Sequence, residues 1–164
     1  MKQQQESADS ILRNHLITLV TAEQAHLNLE GAIAGLKQEN RNKKPSKNVH
    51  SVWEEVEHIR ISQEDILKYM VDPKWVSPNW PQEYWPEKTS IVPDEIWIAS
   101  IDKIFADLEE FVSIIKDESI DLTSIIPHTQ SHTYLREIIL NADHNSYHIG
   151  QIVVVRKLIG DWKF

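Results

Sequence analysis

Cysteine is absent from this 164-residue chain. Its absence excludes disulfide staples, thiol nucleophiles and any Cys-ligated zinc or iron–sulfur centre. Sulfur chemistry, if there is any, has to arrive with a substrate. Long hydrophobic runs are missing as well. The longest stretch free of Asp, Glu, Lys and Arg is Leu122 to Leu135, 14 residues rich in Thr, Ser, His and Gln, well short of the roughly 20 apolar residues of a membrane span. The opening Met1-Lys2-Gln3-Gln4-Gln5-Glu6 lacks the apolar core of a secretory signal, and a cytoplasmic location is expected. Positive charge is scarce: 17 Lys and Arg stand against 25 Asp and Glu, a formal charge of −8. That balance opposes the phosphate attraction on which nucleic-acid affinity rests. Neither a nucleic acid nor a membrane is an expected partner.

Alternating strand patterns are also lacking, and proline is confined to Pro45, the group Pro73, Pro78, Pro81, Pro86 and Pro93, and Pro127. With 41% hydrophobic residues, the chain has enough apolar surface for one domain over residues 1–164. The prolines divide it into four segments with helical periodicity. The first, Glu6 to about Lys37, carries Ile11, Leu12, Leu16, Leu19, Val20, Leu27, Ile33 and Leu36. A restart is possible at Thr21, where Thr21 and Gln24 fit a capping box. The second starts at His50 or Ser51 and runs to about Met70, with Val52, Val56, Ile59 and Ile66 on one stripe. The third runs from Asp94 to about Lys116, and the fourth from about Ser131, with Ser131 or Thr133 as cap, to Ile159 before Gly160.

Four helices of about 20 to 30 residues predict an all-α four-helix bundle. The 22 residues 71–92, at roughly 3.3 Å each, are long enough to return along a helix, so helices two and three are expected to lie parallel with a long crossover between them. Ile149, Ile152, Val153, Val154, Val155, Leu158 and Ile159 make the last helix apolar nearly all round, which predicts it to be the most buried. Its β-branched run Ile152 to Val155 also admits a short strand.

Eight histidines are the notable excess, since imidazole serves both as neutral metal ligand and as acid–base group near neutral pH. His144 and His148, four apart on one helix, project from one face one turn apart and can converge on one ion. The spacing alone is also met by two core or surface histidines. His58 lies beside the apolar stripe of helix two, where an unpaired imidazole is costly to bury, and is the best candidate for a third ligand. His128 and His132 are a rival pair, but Pro127 and the cap that follows place His128 in a loop, and solvent is expected for both. His15 and His26 are expected to pack or hydrogen-bond, with His26 a possible site-lining residue, and His50 is assigned to the start of helix two.

The stretches His50 to Asp65 (HSVWEEVEHIRISQED), Trp80 to Pro86 (WPQEYWP), Leu135 to Glu137, and Asp143 to Arg156 (DHNSYHIGQIVVVR) together resemble the DinB-like superfamily. The resemblance covers nearly the whole chain from Ala25 to Trp162, and His144-x-x-x-His148-x-Gly150-Gln151 is its most specific part. It implies a four-helix bundle of long-crossover topology, often a homodimer, holding a divalent metal through three histidines. The family ligands fall on His58, His144 and His148, the same trio that spacing and burial single out.

Three protein ligands leave a coordination position open, as in catalytic zinc sites, and imidazole suits zinc or nickel as well as iron, cobalt or copper. Such an ion activates a bound water or deprotonates an incoming thiol. The resemblance implies the second, because some relatives are transferases or isomerases acting with low-molecular-weight thiols. The expectation is therefore a metal-dependent S-transferase or hydrolase acting on a small molecule. The alternative is a non-catalytic binding protein whose metal is structural or vestigial, and a third reading is a helical scaffold whose three rings stand apart. By helical phase, Glu54 and Asp65 lie within about 40° of His58, and Glu137, Asn141 and Gln151 within about 60° of His144. Each can orient a ligand or act as a base. Glu54, Asp65 and Gln151 are the leading catalytic candidates, although surface charge explains Glu54 and Asp65 equally well. Arg60 and Arg156 suit an anionic substrate or ordinary salt bridges. The Trp75 to Trp85 segment either packs over one end of the bundle or a dimer contact, or covers the metal site.

Overall fold

The computed structural model describes residues 7–162. It is all-helical among those residues, with five α-helices: α1 Ala8–Thr21, α2 Leu29–Ile33, α3 Val52–Val71, α4 Asp94–Lys116 and α5 Tyr134–Leu158. No helix among them is long and apolar enough to cross a membrane. The expected start of the first helix at Glu6 lies outside the described residues.

Three boundaries differ from the sequence expectation. The first helix is not continuous to Lys37: α1 stops at Thr21, and the short α2 begins at Leu29, capped by Asn28, whose side chain accepts from Gly31 N–H. Thr21 and Gln24 form no capping box. Thr21 Oγ1 donates to the Ile17 carbonyl and Gln24 Nε2 to the Thr18 carbonyl, so both groups close α1 instead of starting a new helix. Gly35, at φ 68, turns the chain just past α2 in a conformation that other residues rarely adopt. The fourth expected helix begins at Tyr134 rather than Ser131, with Thr133 as its N-cap. It continues unbroken through Ile152 to Val155, so the strand alternative does not hold.

Cross-helix contacts give the topology. From the N-terminal end of α3 to its C-terminal end, Trp53 meets Trp97, Gln63 bonds the Ile104 carbonyl, and Leu67 and Met70 pack in one cluster with Phe111 and Ile115. The residue numbers rise together, so α3 and α4 are parallel and residues 72–93 form the crossover. Against α5 the numbers run oppositely: Val52 and Val56 share a cluster with Ile152 and Val155, Gln63 pairs with Asn145, and Leu67 packs with Ile138. The bundle therefore consists of α1, α3, α4 and α5, with α2 laid against α5.

The most buried helix is α3, not α5. It contacts both α4 and α5 and buries eleven of its residues, whereas Val154 and Leu158 of α5 face outward at 48% and 62% exposure. Apolar composition did not rank the two helices correctly because α3 also buries polar groups: Glu55, Glu57, His58, Ser62 and Gln63. Two apolar clusters, one around Val56, Ile59 and Ile152 and the other around Phe111 and Ile138, leave that polar stretch of α3 between them.

The start of α3 is fixed by a reciprocal cap, in which Ser51 Oγ accepts from Glu54 N–H while Glu54 accepts from Ser51 N–H. Ser51→Ala is expected to cost about 1 kcal/mol, the usual value of such a cap, read from the urea midpoint. An unchanged midpoint would contradict this account of the helix start.

Candidate metal centre

His58, His144 and His148 come together as a group able to hold a metal ion, each offering a ring nitrogen within 4.8 Å of the others. Antiparallel packing of α3 on α5 makes this possible: His58 projects from α3 into the one-turn gap between His144 and His148. His144 Nε2 stands 3.2 Å from His58 Nε2, close to the separation of two ligands each about 2.0 to 2.1 Å from one ion. A scaffold with its rings apart does not fit this geometry.

Two of the rings are oriented from behind. His58 Nδ1 donates to the Tyr84 carbonyl at 2.7 Å, and a carbonyl can only accept, so the proton of the neutral ring is on Nδ1 and Nε2 is left as a lone pair. His148 Nδ1 donates to Glu55 Oε2 at 2.6 Å, a carboxylate–histidine pair of the kind that fixes the tautomer and basicity of a metal ligand. The donor set of three imidazoles, two of them anchored by Nδ1, fits a borderline divalent ion such as zinc or nickel.

Burial favours the neutral, ligating form of His58 and His144. It pushes His58 below its ordinary range, and His148 nearby adds to the effect. His144 falls from 6.5 to about 4, first through burial and then through the neighbouring His148 and His58.

The crossover closes over the site. Trp85 stacks on the His58 ring, with centroids 4.1 Å apart and planes 6° from parallel. Tyr147 meets His148 edge-on at 4.9 Å, and Trp80 lies 6.4 Å from His58. Trp80 and Tyr147 are largely exposed, which gives the site an aromatic rim. Asp65 pins the crossover at two points, accepting from Trp75 Nε1 and from the Tyr84 hydroxyl. Burial, and then that bond, raise the Tyr84 phenol above its ordinary pKa. The Trp75 to Trp85 segment thus packs on the bundle and covers the histidines at the same time.

The other residues marked from sequence lie as follows. Glu54 belongs to the α3 cap and pairs with Lys44 at 2.6 Å. Asp65 acts on His58 only through Tyr84, and Gln151 is half-buried one turn beyond His148. Glu137 accepts from Arg136 and His132, away from the three rings. Arg60 is taken up by Glu57 and Glu64, and Arg156 by the Ala32, Ala34 and Asp161 carbonyls. His15, His26 and His128 are exposed, and His26 lines a cavity beside Asn141 and Asn145. His50 packs edge-on against Trp85 and sits 3.6 Å from Glu55. Sequence reasoning missed Glu55. Its signal was there: Glu55 falls on the apolar stripe, three residues after Val52 and four before Ile59, and an acid in that position needs a buried partner.

Two outcomes follow. Glu55→Gln is expected to weaken zinc binding about 10- to 100-fold, the usual loss for such an outer partner, measured by competition with a chromophoric chelator; unchanged affinity would contradict the role given to Glu55. In metal-free protein, the unfolded chain binds protons that His58 and His144 refuse when folded. The contribution of His144 is fully present above pH 6.5 and is lost as pH falls toward about 4, and that of His58 is lost in the same direction. His144→Gln should therefore flatten the fall in urea midpoint between pH 7 and 5; an identical slope in both proteins would count against neutral burial.

A family model of the DinB superfamily matches residues 21–152. No curated protein and no solved structure was found to match. The matched span holds all three histidines, both halves of the α3–α5 pairing and the whole crossover, so the chain belongs to the DinB superfamily.

Proposed function

We propose that this protein is a metal-dependent enzyme in which His58, His144 and His148 bind one divalent ion, zinc or nickel, with a coordination position left for a small-molecule substrate. One observation carries the reading: three imidazoles from two helices converge, and two of them are fixed by acceptors at Nδ1. An ion held this way supplies Lewis acidity, lowering the pKa of a bound water or thiol.

Charge suits an anionic ligand. Imidazoles add no charge as ligands, and the carboxylate of Glu55, the acid bonded to a ligand ring, leaves one positive charge of a divalent ion unbalanced, which suits a monoanion, a thiolate or a hydroxide. The chain has no cysteine of its own, so the thiol is exogenous and the proposed reaction is S-transfer; hydrolysis is the variant in which water takes the same position. The exposed aromatic rim of Trp80 and Tyr147 supports a substrate with an apolar portion. Leu140, Tyr147, Val154 and Leu158, all on one side of α5 and all exposed, support a homodimer as part of the same proposal, and a cytoplasmic setting supplies low-molecular-weight thiols.

Protein purified without chelator should carry about one divalent ion per chain by elemental analysis. His144→Ala should lose the ion and remain folded, because that ring is only half-buried; loss of the fold instead would favour a structural metal. Cobalt-substituted protein given 2-mercaptoethanol should develop a sulfur-to-cobalt charge-transfer band in the near ultraviolet. No such band would remove the thiol, and no metal in the wild type would remove the enzyme.

A further inference from the structure

His144 differs from its two companions. Its Nδ1 is buried without a hydrogen-bond partner, and so is the Oδ1 of the next residue, Asn145. The two orphaned atoms belong to adjacent residues of α5. The other end of the Asn145 side chain is tied. Asn145 Nδ2 donates to Gln63 Oε1 at 2.8 Å, and Gln63 Nε2 donates to the Ile104 backbone carbonyl at 2.7 Å. The chemistry of this chain fixes its direction. Because the Ile104 carbonyl only accepts, the fully buried Gln63 must show it the amide NH2 and turn its oxygen to Asn145. Asn145 must then turn its own NH2 to Gln63, which leaves its oxygen as the unpartnered end of the chain.

We propose that Asn145 is the positioning residue for His144, its Oδ1 accepting the Nδ1 proton of His144 once Nε2 serves as metal ligand. This rests on the metal-site reading above. The close approach of His144 to His58 shows how the arrangement works. His58 carries its proton on Nδ1, toward Tyr84, so its Nε2 is a lone pair. Two lone pairs facing each other at 3.2 Å would repel, so without an ion His144 holds its proton on Nε2 and donates it to His58. Its Nδ1 is then a lone pair, an acceptor like the Asn145 oxygen, and two acceptors cannot pair, which accounts for both atoms lacking a partner. Ligation needs the Nε2 lone pair. One proton leaves Nε2 and one is taken up at Nδ1, the ring stays neutral, and the new Nδ1–H meets an oxygen already held toward it. The Gln63–Asn145 chain makes His144 mispaired without the ion and fully paired with it.

The test uses the full chain and zinc alone. In zinc-loaded wild type, imidazole 15N NMR should find His144 protonated on Nδ1 with slow solvent exchange, and in metal-free protein on Nε2. Asn145→Leu should weaken zinc binding about 10- to 100-fold. Asn145→Asp keeps an acceptor oxygen but loses the donor to Gln63, and should recover most of the affinity even if it is less stable. Equal zinc affinity in Asn145→Leu and wild type, or equal loss in both variants, would overturn the assignment and leave the three-histidine site standing. So would a His144 Nδ1 proton in rapid exchange, which would make its partner water in the neighbouring cavity of about 80 Å³ lined by Asn141 and Asn145. Absence of zinc binding in the wild type would overturn both readings. If Asn145→Leu does not fold, the wild-type spectra and the Asn145→Asp titration decide the matter.

Discussion

A buried neutral imidazole has two nitrogens with opposite demands: one carries a proton and needs an acceptor, the other carries a lone pair and needs a donor or an ion. Three imidazole rings meet here where α3 crosses α5. Lone pairs gathered at one point repel, and water-exposed alternatives are limited because His58 and His148 are almost fully buried. The surrounding structure is arranged around that demand. Tyr84 and Glu55 hold the protons on the outer sides of two rings, and the inner sides are left facing one another. A divalent cation would satisfy all three rings at once through their Nε2 lone pairs.

The fold supports the centre in two ways. Parallel packing of α3 and α4 requires the long crossover, and the crossover returns over the open side of the histidines. It brings a backbone carbonyl to His58 and a tryptophan face to its ring. Asp65 anchors this return to α3 through two hydrogen bonds. A residue two turns from His58 thereby controls the ring's orientation without touching it. The second support is the polar middle of α3, where Gln63 and Ser62 interrupt the apolar clusters. That interruption joins α3, α4 and α5 by hydrogen bonds at the level of the metal centre.

Much of this was legible from the chain. The proline distribution marked three of the four long helices closely, and the 22-residue crossover implied their parallel arrangement. The His144–His148 spacing and His58 on an apolar stripe singled out the three rings that the structure brings together. Legibility failed where long-range contacts decide. Periodicity ran α1 into α2 because Leu27, Ile33 and Leu36 continue an apolar pattern, and only the carbonyls taken by Thr21 and Gln24 show that the helix has ended. Helical phase around His58 pointed to Glu54 and Asp65, but the carboxylate bonded to a ligand ring is Glu55, whose partner His148 comes from another helix. Phase on a single helix cannot report a pairing across two. Nor can side-chain patterns reveal that a backbone carbonyl, that of Tyr84, orients His58.

X-ray absorption at the zinc edge of the loaded protein tests the central claim most directly. The account predicts three imidazole nitrogens at about 2.0 to 2.1 Å, with the outer-shell scattering of intact rings and one further light-atom ligand. A spectrum fitted by one imidazole, or by carboxylate and water oxygens alone, would contradict it.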